Sequence, residues 1–103
     1  MARRRADSAH RPMSARRLAE IRSRLEAAFE PDLLEIVDES HRHAGHAGAR
    51  DGRGHFAVRI VSNRFAGIKP LARHRMVYAA LGTLLRTDIH ALSVIALCPD
   101  ENA

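Results

Sequence analysis

The sequence has little cysteine, few aromatic residues and no long apolar run, and each shortage excludes a class of protein. Its single cysteine, Cys98, can form neither a disulfide within the chain nor a metal site made of cysteines alone. With 4% aromatic residues and no tryptophan, the core is expected to be aliphatic. No apolar run approaches the roughly 20 residues of a membrane span, and the N-terminal arginines are not followed by the apolar stretch of a signal peptide. A cytoplasmic protein that stays out of the membrane is therefore expected.

The excess positive charge is concentrated at the N-terminus. The 103 residues allow one domain and carry a formal net charge of +5. Residues 1–17 hold six arginines and one acid. Residues 52–87 hold seven basic residues and no acid, whereas the segments on either side of them, 18–51 and 88–103, carry more acidic than basic residues. We therefore predict a disordered arginine-rich arm over residues 1–13, one domain over residues 14–99 and an acidic tail over residues 100–103. The arm is either a solvated extension or a tail that touches phosphates.

Hydrophobic spacing predicts two helices and three strands. Apolar residues at helical spacing follow Ser14, the expected N-cap, up to Pro31, and a second helix opens at Pro70. Alternating apolar residues predict strands over residues 33–39, 55–62 and 90–97, with a loop rich in glycine and histidine between the first two. The order α-β-β-α-β predicts an α+β fold, with the helices on one face of a three-stranded mixed sheet.

The second helix is predicted to bury one stripe of residues, which are Leu71, His74, Val77, Tyr78, Leu81, Leu84 and Leu85. On that stripe His74 is either a hydrogen-bonded core histidine or a residue of a site. Arg73 and Arg75 flank it and are predicted to be exposed.

The loop contains His41, His43 and His46 in the spacing H-x-H-x-x-H. Dinuclear zinc hydrolases also place an acid before the third histidine, where this chain has Gly45, so this activity is disfavoured. The G-x-x-G from Gly45 to Gly48 matches the phosphate clamp of KH domains, although here it joins two strands rather than two helices. The sequence has no Walker loop, no G-x-G-x-x-G and no recognisable catalytic triad around its serines, and we do not expect an enzyme.

A longer pattern covers the chain from about Ser14 to Pro99 and resembles the BolA family. Its pieces, in chain order, are Ser40-His41, Gly45-His46-Ala47-Gly48, His55-Phe56-x-Val58, Phe65-x-Gly67, Arg73-His74-Arg75-x-Val77-Tyr78-x-x-Leu81 and His90-Ala91-Leu92. The resemblance implies a class II KH-like α+β sandwich with a short helical turn before the second long helix. It also implies an adaptor that binds a monothiol glutaredoxin and shares a glutathione-dependent [2Fe-2S] cluster with it, in iron–sulfur trafficking or in iron or redox regulation. Some members of the family are instead described as DNA-binding, stress-responsive transcriptional regulators, and this is the alternative function.

The resemblance assigns roles to the histidines. A [2Fe-2S] cluster needs four ligands, and one cysteine cannot supply them. The cysteine of the glutaredoxin and the glutathione thiol would leave two positions for imidazoles. By its place in the motif, His90 corresponds to the C-terminal ligand of the family. The second ligand of the family comes from the loop between the first two strands, where His55 is preferred and His46 is the alternative, while His41 and His43 are expected to be solvated.

Basic residues near these histidines predict a second kind of contact. The candidates are Arg64, Lys69, Arg73, His74 and Arg75, which would meet an acidic partner surface with its anionic glutathione, or the phosphates of DNA. DNA binding is disfavoured because residues 18–103 are neutral overall and lack the stacking aromatic residues of single-strand binders.

Overall fold

The computed structural model describes residues 13–40 and 54–102, and its elements follow the predicted order. They are helix α1 (Met13–Phe29), strands β1 (Leu33–Asp38) and β2 (Gly54–Val61), a 3-10 turn (Asn63–Phe65), helices α2 (Pro70–Leu81) and α3 (Leu84–Thr87), strand β3 (Ile89–Leu97) and a C-terminal 3-10 turn (Pro99–Asn102). The predicted arm, apart from Met13, and the loop histidines lie outside the described residues. None of the described helices is long and apolar enough to cross a bilayer.

The sheet has the order β1-β2-β3, with β2 in the centre. β2 runs antiparallel to β1 and parallel to β3, so that Val58 lies between Ile36 and Val94. Phe56, Val58 and Ile60 alternate along β2 as buried residues and form one core with the buried side chains of the helices. The predicted α+β fold with a three-stranded mixed sheet is confirmed, and the KH-like description is compatible with it.

Helix α1 buries one stripe and stops at a left-handed residue. Ile21, Leu25 and Phe29 recur every four residues and are almost completely buried. The chain leaves the helix at Glu30, whose φ of 44° is left-handed, and Pro31 prevents continuation. Because the helix begins at Met13, Ser14 lies within its first turn, and the prediction of Ser14 as the N-cap is wrong.

The second predicted helix is divided at Gly82. Gly82 has a φ of 55°, which favours glycine, and its N–H donates to the carbonyl of Tyr78 at 3.0 Å. The prediction of one helix through Leu85 is therefore wrong, and the short α3 follows instead. The 3-10 turn that the resemblance implied is present, and it buries Phe65 against Phe29 with ring centroids 4.9 Å apart.

Candidate functional site

An irregularity between the two parallel strands brings the two preferred histidines together. Gly54 pairs with Ile89, but the next residue, His55, pairs with Ala91, so His90 is an extra residue on β3. A bulge of this kind re-aims the side chain that it carries. The rings of His55 and His90 lie with their centroids 5.0 Å apart and their planes at 52°. Two residues that are 35 positions apart in the sequence thus form one histidine pair.

The backbone of His55 is held on both sides. Its N–H donates to Oγ of Ser40 at 3.0 Å, and its carbonyl accepts a hydrogen bond from the N–H of Glu39 at 2.7 Å. The preceding residue, Gly54, is buried, and a Cβ there would lie 2.6 Å from Cε2 of Phe56. A side chain at this position would force Phe56 or Ser40 to move, so glycine allows β2 to start close against both residues.

An open pocket of about 180 Å³ lies beside the histidine pair. The core residue Phe56 contributes to its wall. Within the histidine pair, Nε2 of His55 is buried, whereas His90 is exposed. The other side of the pocket comes from β3 and from the end of β1. Its lining residues are Glu39, His55, Phe56, Ala91, Leu92 and Ser93.

The pair does not amount to a complete metal site. No group of three or more histidine, cysteine or acidic side chains that could hold a metal ion occurs within residues 13–40 and 54–102. His46, the alternative second ligand, lies outside the described residues, as do His41 and His43. Cys98 is half-buried beyond the far end of β3, as expected for a small apolar residue.

Arg73 is buried, and the prediction that it is exposed is wrong. Only 6% of its surface is accessible, and its guanidinium donates to the carbonyls of Ile68 and Ala96 at 2.6 and 3.0 Å. It also forms two hydrogen bonds with the carboxylate of Glu101, at 2.6 and 3.1 Å. These bonds to Glu101 raise the pKa of Arg73, and they lower the pKa of Glu101 to about 2. Arg73 therefore ties α2 to the C-terminal turn.

His74 is exposed, and its predicted place on a buried stripe is wrong. Val77 and Leu81 are buried as predicted, but Arg73 rather than His74 completes the buried stripe of α2. Leu71 and Tyr78, predicted to be buried, are 64% and 40% exposed. His74 instead lines an open groove of about 250 Å³ with Leu71, Arg75 and Tyr78. The spacing of four residues from Arg73 to Val77 and Leu81 is present in the sequence, but it does not by itself predict burial of Arg73, because a charged residue is seldom buried.

The remaining basic candidates lie on the surface. The guanidinium of Arg64 pairs with the Glu30 carboxylate at 2.6 Å and donates to the carbonyl of Ala28 at 3.3 Å. Lys69 immediately precedes α2 and Arg75 lies within it, and both are exposed. Exposed basic side chains of this kind can contact an anionic surface.

Comparison with known proteins gives a consistent result. The family model for BolA-like proteins matches residues 25–101. The chain is 44% identical over 86 residues to SufE-like protein 1, chloroplastic/mitochondrial, of Arabidopsis thaliana, a match that covers 79% of this chain and 23% of that protein. It is 49% identical over 74 residues to the DNA-binding transcriptional regulator BolA of Escherichia coli strain K12, covering 72% of this chain and 68% of that protein. The chain thus spans less than a quarter of the first relative and about two thirds of the second.

Solved structures agree with the family match. The BolA domain of SufE1 from Arabidopsis thaliana superposes with a TM-score of 0.71 at 41% identity, over 81% of this chain and 92% of that domain. The resemblance inferred from the sequence motifs is confirmed by both comparisons. The chain belongs to the BolA-like protein family.

Proposed function

We propose that this protein is a non-catalytic adaptor that binds a monothiol glutaredoxin and contributes His55 and His90 to a shared, glutathione-dependent [2Fe-2S] cluster. The observation that carries the proposal is the histidine pair, whose ring centroids are 5.0 Å apart. With metal–nitrogen bonds of about 2.0–2.1 Å, two imidazoles on one tetrahedral ion have centroids about 5 Å apart. The centroid separation of the pair is therefore the one expected for two imidazole ligands of one iron.

The chemistry of the donor set supports a shared cluster over a resident one. Two imidazoles leave two of the four positions on a [2Fe-2S] cluster to thiolates from elsewhere. The one cysteine of this chain cannot supply them, because Cys98 follows the C-terminal end of β3, whereas His90 lies at the beginning of that strand. A partner thiol and glutathione would complete the set, and the open pocket beside His55 leaves room for a partner to approach.

Mixed ligation of this kind has an electronic consequence. Two histidines in place of two cysteines raise the reduction potential of a [2Fe-2S] cluster, as in Rieske centres. A cluster held by His55 and His90 is expected to have a higher potential than the same glutaredoxin's cluster ligated only by thiolates. Such a difference suits an adaptor that responds to redox state or passes the cluster on.

The test is reconstitution with a monothiol glutaredoxin, glutathione, iron and sulfide, followed by visible absorption and circular dichroism. His90→Ala and His55→Ala are expected to change the spectrum of the heterocomplex or to abolish it. Arg22→Ala is the control, because Arg22 is exposed on α1 and belongs neither to the histidine pair nor to the basic residues predicted to meet the partner. If His90→Ala and Arg22→Ala both gave the parent spectrum, the assignment of His90 as a ligand would be wrong.

A second candidate function is DNA binding, which one observation favours. The Escherichia coli relative, 49% identical over 74 residues, is named a DNA-binding transcriptional regulator. In this chain Lys69 and Arg75 are two exposed basic residues that could contact phosphates, whereas Arg73 is buried against Glu101. If both residues contact phosphates, the Lys69→Ala, Arg75→Ala double variant should make the slope of log K against log salt concentration shallower by about two. A parent protein without a salt-dependent shift at low ionic strength would remove this candidate.

A further inference from the structure

The start of β3 is anchored by an ion pair that reaches across the fold. Oδ2 of Asp88 accepts a hydrogen bond from Nε of Arg17 at 3.2 Å, although 71 positions separate the two residues. The side chains of Arg17 and Asp88 are only 11% and 26% exposed. The second carboxylate oxygen, Oδ1, accepts a hydrogen bond from the hydroxyl of Thr87. The pair therefore joins α1 to the connection between α3 and β3 in a partly buried setting.

The backbone of Asp88 is held as firmly as its side chain. Its N–H donates to the carbonyl of Leu84 at 2.9 Å and so ends α3. Its carbonyl accepts a hydrogen bond from the N–H of Gly54, also at 2.9 Å. Gly54 directly precedes His55, and Asp88 precedes His90 by two residues. Asp88 thus binds the residue that precedes His55 and itself lies two residues before His90.

This anchor lies where the strand register changes. The shift in pairing follows Gly54 and Ile89, and it makes His90 the extra residue. In a regular parallel ladder His90 would pair directly with His55, and its side chain would leave the strand in a different direction. Maintaining the bulge requires that residues 88 and 89 stay fixed against Gly54 while His90 is displaced.

We propose that Asp88, held by Arg17, is a positioning residue that sets the bulge and thereby directs His90 toward His55. The inference rests on the proposed function for its consequence, because a misplaced His90 would bind the shared cluster less well. The geometric part concerns the protein alone. Residues that orient metal-binding histidines without touching the metal commonly change metal affinity by about 10–100-fold when they are replaced.

The first measurement uses the full chain without partner or iron. Nuclear Overhauser cross-peaks between the ring protons of His55 and His90 report whether the two imidazoles are adjacent. Asp88→Ala and Arg17→Met are expected to weaken these cross-peaks strongly. The charge-swapped double variant, Arg17→Asp with Asp88→Arg, is expected to restore them, which loss of fold stability by itself would not do.

The second measurement uses the reconstituted heterocomplex with glutaredoxin and glutathione. The rate at which a strong iron chelator removes the cluster is expected to rise about tenfold in Asp88→Ala. Glu101→Ala is the matched control, because it breaks the ion pair with Arg73 beyond the opposite end of β3. This variant should melt at a lower temperature yet keep the parental cross-peaks and rate of cluster loss.

Three results separate the possibilities. Parental cross-peaks in Asp88→Ala would overturn the positioning role, and so would an equal loss of cross-peaks in Glu101→Ala, which would indicate general destabilisation. A parental spectrum in His90→Ala would overturn the proposed function, while the cross-peaks of the protein alone would still decide the role of Asp88. If Asp88→Ala does not fold, Asp88→Asn and Arg17→Met decide the question by the same cross-peaks.

Discussion

Replacing Gly54 by alanine tests whether close packing at the start of β2 holds the histidine pair in place. The added Cβ would lie 2.6 and 2.8 Å from Cε2 and Cζ of Phe56 and 2.9 Å from Oγ of Ser40. Carbon atoms in ordinary contact are about 3.5–4.0 Å apart, so the Phe56 ring must move by about 1 Å. Phe56 is only 2% exposed, and it lines the same pocket as His55. Movement of its ring or of the strand is therefore expected to disturb His55.

The loss of folding stability in Gly54→Ala can be estimated from the known cost of overpacking a core. Inserting a methyl group into a packed core costs about 1–3 kcal/mol, and alanine recovers about 0.4–1 kcal/mol by restricting the unfolded chain. A net loss of about 1–2 kcal/mol is expected in urea unfolding of the protein without cluster. Because the movement includes Ser40, which binds the N–H of His55, the cross-peaks between His55 and His90 should weaken as well.

Gly67→Ala is the control for this experiment. Gly67 has a φ of 75°, and an added Cβ there meets no atom within 4 Å. Alanine at this position costs about 1–2 kcal/mol through left-handed backbone strain, but it displaces no neighbour. The two variants are thus matched in stability and differ in their effect on the site. The packing argument would be refuted if Gly54→Ala unfolded within 0.5 kcal/mol of the parent, a margin typical of neutral substitutions.

Three further predictions concern the scaffold of the site. Phe65→Ala should lower the free energy of unfolding by about 3–5 kcal/mol, because it leaves a cavity against Phe29; a loss below 1 kcal/mol would contradict its full burial. Ser62→Ala should cost about 1–3 kcal/mol, because it removes the donor to the buried carbonyl of Phe29, and Ser62→Thr should lose less if the methyl group is accommodated. The carboxyl of Glu101 has a pKa near 2 in the folded protein and 4.5 ordinarily, so its contribution to stability is full above about pH 4.5 and is lost as the pH falls toward 2. Melting temperatures of Glu101→Gln and parent should therefore converge over that interval, and a constant difference would contradict the bond to Arg73.

The sequence by itself determined the class of each element and the family. Alternation of apolar residues predicted all three strands within about one residue at each end, because successive side chains of a strand face opposite sides of the sheet. The same alternation, with Phe56 facing the core, also placed the neighbouring His55 on the opposite side of β2, as the structure confirms. These are local properties, and a local pattern is sufficient to encode them.

The tertiary structure decided that Arg73 rather than His74 joins Val77 and Leu81 on the buried face of α2. Arg73 can be buried only because Glu101, 28 positions away, supplies the compensating carboxylate, and the carbonyls of Ile68 and Ala96 satisfy the remaining donors. The sequence of the helix itself does not predict these partners. His74, the next residue of the helix, is exposed because Arg73, Val77 and Leu81 occupy the buried face.

The histidine pair shows both contributions. The sequence singled out His55 and His90, but their distance depends on a register shift between parallel strands that the local pattern of either strand does not contain. Hydrogen bonds of Asp88 join α1, α3 and the start of β2, and the bond from Gly54 to Asp88 exists only after these elements have packed. The sequence therefore identifies the two histidines, whereas long-range packing brings them together as one site.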